Sequence, residues 1–280
     1  MSAVEISVII VSYNSTELLA ECVLRVLEST VGVQLIVSDN GSTDGSLAAI
    51  EDIALNDNRV NVIRNGINHG FAVGNNLVLP LAVGAYVLFL NPDCLVEPTT
   101  LARVKEVLES NPCAAMAGCL IKNPDGTVEA ASQRLIPTPG RLLYEWLLGA
   151  PKSSFSMPPD VPEIRPVEAI SGAFMLVRRD VLDQIGGFDP NYFMHWEDLD
   201  LCLRVKREGY EILFVPDVEV VHVKGQSSRR QPIRVDWYKH LGMVRFLHKF
   251  HFSRWPFPLF AIAAFPVWCR LLARIISRRR

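Results

Sequence analysis

The segment Ala85 to Asp93, AYVLFLNPD, is an unbroken apolar run that stops on a carboxylate. Val87, Leu88, Phe89 and Leu90 show no polar alternation, which suits a central parallel strand covered on both faces. Asn91 and Pro92 end it, because proline removes a ladder donor and turns the chain out of the sheet. In open α/β sheets, ligands bind at the carboxyl ends of the strands. Asp93 is thereby placed at a binding edge, although Asn-Pro-Asp taken alone reads first as an ordinary turn.

The first half of the chain repeats this arrangement. Ile6 to Ser12 is a second continuous apolar run, followed by Tyr13, Asn14 and Ser15. Asn14 is an N-cap by residue type, with Glu17 three positions on as its capping-box partner. Leu18, Leu19, Cys22, Val23, Val26 and Leu27 mark one face of the helix. With a strand at Leu35 to Val37, the chain opens as strand, helix, strand, a parallel right-handed crossover.

Two polar loops follow. Asp39-Asn40-Gly41-Ser42-Thr43-Asp44-Gly45 leads into a helix from Ser46 to Leu55. After a strand from Asn61 to Arg64 comes Asn68-His69-Gly70-Phe71-Ala72-Val73-Gly74-Asn75-Asn76. Both should open on the same sheet edge as Asp93. Singly, each is ordinary capping and loop chemistry. Neither matches GxGxxG or GxxxxGK[ST], which disfavours a dinucleotide fold or a nucleoside triphosphatase.

Beyond Asp93, Thr99 or Thr100 is placed to cap a helix to about Ser110, with Leu101, Val104, Val107 and Leu108 inward. Residues 114–130 read as a hairpin about Asn123-Pro124-Asp125-Gly126. Residues 132–166 are proline-rich around the amphipathic piece Leu142 to Leu148, and are expected to form a flexible flap near an acceptor. Ala169 to Val177 is a strand broken at the small residues Ser171-Gly172-Ala173. A short helix, Arg179 to Ile185, is stopped by Gly186-Gly187. Phe193-Met194-His195-Trp196-Glu197-Asp198 precedes a helix from Leu199 to Glu208, whose dipole alone accounts for two adjacent acids at its start. Strands Ile212 to Val215 and Val218 to Val221 lead to His222 and the polar loop Lys224 to Arg230.

At 280 residues and 49% hydrophobic content, the chain can bury one large core, or one core with an appended piece. Its six cysteines contain no CxxC pair, which reads as reduced thiols with no disulfide and no zinc site. The formal charge of −2 hides an asymmetry. Nine Lys or Arg and no acid follow Asp236, leaving 19 basic against 30 acidic residues before that point. WPFPLFAIAAFPVWC, Trp255 to Cys269, is too short and too proline-rich for one straight bilayer-spanning helix. With its flanking arginines it suits an interfacial anchor; the alternatives are packing on the domain or a homodimer contact. No secretory leader is legible, so a cytoplasmic protein, peripheral on the inner face of the cell membrane, is expected.

VIIVSYN (Val8 to Asn14), SDNGSTDGS (Ser38 to Ser46), NHGFAVGNN (Asn68 to Asn76), FLNPD (Phe89 to Asp93) and Trp196-Glu197-Asp198 resemble, in this order, the motifs of glycosyltransferase family 2. The match is nearest to its rhamnosyltransferase-type members. The resemblance implies an α/β GT-A nucleotide-diphospho-sugar transferase fold, with a mostly parallel central sheet flanked by helices. It divides the chain into a catalytic domain (1–235, with halves 1–110 and 111–235) and a helical, membrane-associating extension (236–280).

The same resemblance implies site residues. Asp39 would read the base of the donor. Ser12, Tyr13, Asn14, Asn40, Ser42, Asn68, Gly70, Phe71, Asn75, Asn76, Asn91, Gly172, Ala173, Arg229 and Arg230 would line the donor pocket. Asn91-Pro92-Asp93 stands where the family has DxD, so Asp93 would bind metal, with His222, and Asn91 would contact ribose or sugar. The cofactor would be Mg²⁺ or Mn²⁺. Asp198 would be the general base, Glu197 would orient the acceptor or the base, and Trp196 and His195 would contact the acceptor. The implied activity is inverting transfer of L-rhamnose from dTDP-L-rhamnose to a glycan or lipid-linked acceptor. The alternatives are a UDP-sugar hexosyl or galactofuranosyl transferase, or a non-catalytic nucleotide-sugar-binding scaffold. No nucleic-acid partner is expected.

Overall fold

The computed structural model describes residues 3–148, 163–223 and 232–254, with 260, 264, 265 and 267–269, the side chains at 143, 145–148 and 232 excepted. β1 (Ile6–Ser12), α1 (Leu18–Leu27), β2 (Val33–Asp39), α2 (Ser46–Asn56), β3 (Val60–Arg64) and α3 (Phe71–Val78) form the opening crossovers. β4 (Tyr86–Leu90), β5 (Cys94–Leu95), α4 (Thr100–Ser110) and β6 (Ala114–Lys122) follow. Then come β7 (Gln133–Arg134), α5 (Pro139–Leu148), β8 (Arg165–Pro166), β9 (Ala169–Ile170) and β10 (Phe174–Arg178). α6 (Arg179–Ile185), α7 (Glu197–Arg207), β11 (Glu211–His222) and α8 (Pro232–Leu247) complete the series.

The main sheet runs β3-β2-β1-β4-β10-β6-β11-β5, with β8 on β11. β1 pairs in parallel with both β2 and β4, and every residue of β4 is buried. Helices cover both faces, so alternate residues of one strand feed different cores. Leu88 and Leu90 pack with Leu19 and Leu101, whereas Phe89 packs with Met175 and Phe188. This is the physical reason that β4 is apolar without alternation. β10 runs antiparallel between β4 and β6, with Phe174 opposite Leu90. That register sets Gly172 and Ala173 just beyond the end of β4.

Several local expectations are corrected. Asn14 does not cap α1, whose first turn has no side-chain cap; it sits at φ 52° and its Oδ1 accepts from Thr43 N at 2.8 Å. The side chain that could close a helix locally instead ties the β1 loop to the β2 loop. At 114–130 the turn exists, with Asn123 N donating to Thr127 O at 2.8 Å, but only a single bridge, Lys122 to Val128, follows. β10 pairs with β6 only at Met116 and Ala117, so the returning chain reaches the edge beyond them, with Glu129 N on Ile121 O at 2.8 Å, but it turns away at once, Ser132 N donating to Glu129 O at 3.0 Å. β11 is one strand with an irregularity between Val215 and Glu219, rather than two. The proline-rich stretch contains β7, paired with β9, and helix α5; residues 149–162 lie outside the described residues.

α8 packs on the α/β core. Phe246 is fully buried against it, and Trp196 stacks obliquely on the Phe246 ring at 5.4 Å. Truncating a buried phenylalanine costs about 3–5 kcal/mol. Lys249, just beyond α8, binds both Asp189 (2.7 Å) and the fully buried Asp200 of α7 (2.6 Å), while Arg245 reaches Asp189 at 3.1 Å. Burial opposes a charge on Asp189, yet its hydrogen bonds from Lys249, Asn191 and Arg245 hold its carboxyl well below the usual carboxylate range. Among the described residues no helix is long and apolar enough to cross a membrane.

Candidate active site

The carboxyl ends of β1, β2 and β4 meet as expected. Ser12 and Asp39 are register partners on neighbouring strands, both buried. The Asp39 carboxylate accepts from Gly41 N and Ser42 N at 3.1 Å each, which fixes its orientation at the head of the loop. Ser42 Oγ accepts from Asn14 N at 3.0 Å. Tyr13, 41% exposed, stands at the mouth of this corner.

The second polar loop is wired to the first. Asn40 donates to Gly70 O at 3.0 Å and accepts from Asn65 at 2.9 Å, while Asn68 Oδ1 accepts from Gly70 N at 2.9 Å. Gly70, at φ 83°, lies so close to Phe193 O that an added Cβ would meet it at 2.2 Å. Phe71 N then donates to that same oxygen at 2.9 Å. The backbone before α3 is thus joined to the segment that carries the two acids. Asn75 is buried, and its Oδ1 has no hydrogen-bond partner among the described residues. Asn76 has both ends of its amide on the Phe188 backbone, at 2.7 and 3.0 Å. It therefore holds the turn after α6 and is not brought to the loop cluster. Arg229 and Arg230 lie outside the described residues.

Asp93 and His222 come together across β5 and β11. His222 Nε2 is 3.1 Å from Asp93 Oδ1 and 3.4 Å from Asn91 Nδ2. On its other side, His222 Nδ1 lies 2.8 Å from Oε1 of Glu129, a residue with no motif around it in the sequence. Burial disfavours a charged imidazole, but the hydrogen bonds to Asp93 and Glu129 outweigh it and raise His222 to about 9. Asp93 Oδ, Cys94 Sγ and a His222 ring nitrogen lie within 4.8 Å of one another. This donor set fits a divalent cation, because Glu129 on Nδ1 directs Nε2 toward Asp93 as an outer carboxylate does behind a ligating histidine.

The two acids open α7. His195 and Trp196 have φ of 66° and 76°, a costly left-handed pair that turns the chain abruptly into the helix. Burial, then the charge of Lys239, lowers His195 to about 4, so its ring is neutral at pH 7. Glu197 is buried and its Oε2 has no hydrogen-bond partner among the described residues. Burial, followed by the neighbouring Asp198 charge, pushes it up to about 8. Asp198 is differently placed. Its Oδ2 accepts from Gly172 N at 3.2 Å and is ion-paired with Arg134 of β7. A Cβ on Gly172 would come within 3.2 Å of Asp198 Cβ, so the small residue admits the carboxylate. Arg134, like Glu129, escapes sequence reasoning: each is a lone charged residue whose partner is 64 or 93 positions away.

The metal-fitting pair and the two acids are joined by backbone. Asn91 N donates to Ala173 O at 3.0 Å, and the next residue back, Gly172, binds Asp198. Strand β4 and the break before β10 thereby hold both groups on one edge.

The family model described as glycosyl transferase family 2 matches residues 7–186, and that of glycosyl transferase family group 2 matches residues 161–277. The N-acetylglucosaminyl-diphospho-decaprenol L-rhamnosyltransferase of Mycobacterium tuberculosis is 32% identical over 244 residues, covering 81% of this chain and 78% of that protein. Rhamnosyltransferase WbbL of Escherichia coli is 26% identical over 229 residues, covering 79% and 84%. Among solved structures, the mannosyltransferase PcManGT from Pyrobaculum calidifontis, in complex with GDP-Man and Mn²⁺, superposes with a TM-score of 0.62 at 19% identity, covering 99% of this chain and 78% of that one. GalNAc-T7 with UDP, GalNAc and Mn²⁺ gives 0.61 at 20% identity, covering 79% of this chain and 44% of that longer one. These neighbours share the GT-A fold. On its motifs, fold and relatives, the chain belongs to glycosyltransferase family 2 as a rhamnosyltransferase-like glycosyltransferase.

Proposed function

We propose that the protein is an inverting, metal-dependent glycosyltransferase that moves L-rhamnose from dTDP-L-rhamnose to a hydroxyl of a lipid-linked or glycan acceptor. The observation that carries this reading is the bridge from Asn91 through Ala173 and Gly172 to Asp198. It joins a candidate donor-binding group and a candidate proton acceptor through two hydrogen bonds to the adjacent residues Gly172 and Ala173. The two rhamnosyltransferase relatives support the sugar, and the diphospho-decaprenol in one of their names supports a lipid-linked acceptor.

Asp39 faces the base and accepts from the ring N3–H of thymine or uracil. The loops about Asn14, Ser42, Asn68 and Gly70 line the donor, and Asn91 contacts its ribose or sugar. Asp93 and His222 would hold Mg²⁺ or Mn²⁺, which when bound neutralises charge on the departing diphosphate. Arg229 and Arg230 add cations at the same diphosphate. Asp198 takes the proton of the attacking hydroxyl, since a sugar hydroxyl is too weak a nucleophile unaided. Glu197, kept neutral by its burial, orients the acceptor, and His195 and Trp196 wall that side. The basic, apolar tail places the acceptor side at the inner surface of the cell membrane.

A panel of nucleotide sugars tests the reading. dTDP and UDP ligands should bind by calorimetry and GDP poorly, with dTDP-L-rhamnose hydrolysed or transferred in a metal-dependent manner. Equal affinity for GDP and dTDP would sink the base assignment.

A further inference from the structure

We propose that Cys94 is a third protein donor at the Asp93–His222 centre, so that this chain takes a thiophilic divalent cation, of the Zn²⁺, Cd²⁺ or Co²⁺ class, more tightly than Mg²⁺. The proposal rests on the reading of Asp93 and His222 as metal ligands and adds a residue that the absence of a CxxC pair hides.

Topology brings the thiol there. Cys94 of β5 and His222 of β11 are direct partners in an antiparallel pair, and such partners project to the same face. The turn Asn91-Pro92-Asp93-Cys94, closed by Cys94 N to Asn91 O at 3.1 Å, folds Asp93 beside them. The result is one oxygen, one nitrogen and one sulfur donor, all within 4.8 Å of one another. Cys94 is fully buried, whereas the side chains of Asp93 and His222 are 14% and 12% exposed. The sulfur therefore forms the floor of the site and the other two its rim. All six cysteines are free, so no disulfide competes for it.

Donor chemistry then sets the preference. Oxygen-only sites suit Mg²⁺, imidazole and thiolate favour later transition metals, and a mixed set with an open fourth position is characteristic of zinc. Glu129 behind His222 Nδ1 completes the pattern, because outer carboxylates fix ligating histidines. On binding, the Cys94 S–H and His222 Nε2–H bonds break, the sulfur–metal and nitrogen–metal bonds form, and both protons pass to solvent.

The test uses the full chain carrying Cys113→Ser and Cys269→Ser, which removes the two exposed thiols. Cd²⁺ is titrated while the ultraviolet thiolate-to-cadmium charge-transfer band and the affinity are followed, with and without Cys94→Ser. Mn²⁺ binding with dTDP present is measured in parallel. The expected result is a one-equivalent charge-transfer band that Cys94→Ser abolishes, with Cd²⁺ affinity lowered at least about tenfold, the minimum effect of losing even an outer partner. Retained Mn²⁺ binding by Cys94→Ser shows that the variant is folded. A band or Cd²⁺ affinity unchanged by Cys94→Ser, with Mn²⁺ still bound, overturns the Cys94 assignment alone. Failure of the parent protein to bind either cation overturns both this assignment and the Asp93–His222 reading.

Discussion

Arg134 grips the Asp198 carboxylate from β7, while Glu197, one residue earlier, has an oxygen without a partner among the described residues. Adjacent acids in one helical turn are thus held in opposite electrostatic settings, one beside a guanidinium and one sealed in protein. Environments that separate two acids in this way are how a site assigns them different tasks.

Arg134→Met is expected to lower transfer about a hundredfold, the cost of a small misplacement of a catalytic group, with donor affinity unchanged. Arg134→Lys should restore less than half of the loss, since a shorter, differently aimed ammonium does not reproduce the Nη2 position from which Arg134 serves both Asp198 and Ile170 O. Steady-state kinetics beside calorimetry on dTDP separate the two quantities. A matching fall in donor affinity would place Arg134 on the nucleotide instead.

On the roles proposed for them, Asp198→Asn and Asp93→Ala should fail differently. The first removes a proton acceptor, so transfer drops by about a hundredfold or more while donor binding holds. The second removes a ligand, so nucleotide affinity in Mn²⁺ and rate fall together. Near-normal transfer by Asp198→Asn would move the search for the base to Glu197.

Glu197 gives a pH signature in stability. An unfolded glutamate ionises near about 4.3, whereas in place it keeps its proton to about 8. Its contribution is intact below the lower value and is lost as pH rises toward the upper one. Glu197→Gln escapes that loss, so its Tm relative to the parent should climb between about pH 5 and pH 8. A pH-independent difference would show that Glu197 is ionised in the folded protein.

Lys249→Met should destabilise by about 1–3 kcal/mol, because Asp200 and Asp189 keep Arg204 and Arg245 but each loses one hydrogen bond. Asp189, depressed by those cations, stabilises the fold above its unfolded value of about 3.9 and less as pH falls below it. The variant's deficit measured by urea unfolding should therefore shrink below about pH 4.

Deleting 255–280 leaves Lys249 in place. That truncation should release the protein from anionic vesicles while dTDP still binds, and salt alone should release it only partly. Flotation unaffected by the deletion would favour packing of the tail against the protein, as the Trp237–Trp268 contact at 5.5 Å suggests for its described part.

The strands of the first half are legible because burial on both faces leaves no polar residue in β1 except Ser7 and Ser12, and none in β4 but the Tyr86 hydroxyl. The glycine stop after α6 is equally plain, with Gly186 and Gly187 both at positive φ. Asn14 is not, because a side chain that caps a helix and one that bridges two loops have the same local surroundings in sequence. The hairpin after β6 stops short for a related reason: turn chemistry at Asp125-Gly126 is local, but Glu129 is held by His222 and the chain turns at Ser132, so the return strand ends after one bridge. Glu129, Arg134 and Cys94 are brought to the site by such distant pairings, and carry no periodicity or spacing of their own.

The clamp of Lys249 on Asp200 also has a consequence in time. A chain leaving the ribosome presents β1 to β4 and their loops long before residue 249 emerges, so the donor corner can form early. The helix carrying Glu197 and Asp198 gains its last anchor only when synthesis is nearly over. We expect nascent or prematurely ended chains to bind nucleotide without turning over acceptor, and ribosome-stalled intermediates probed with dTDP would show the order.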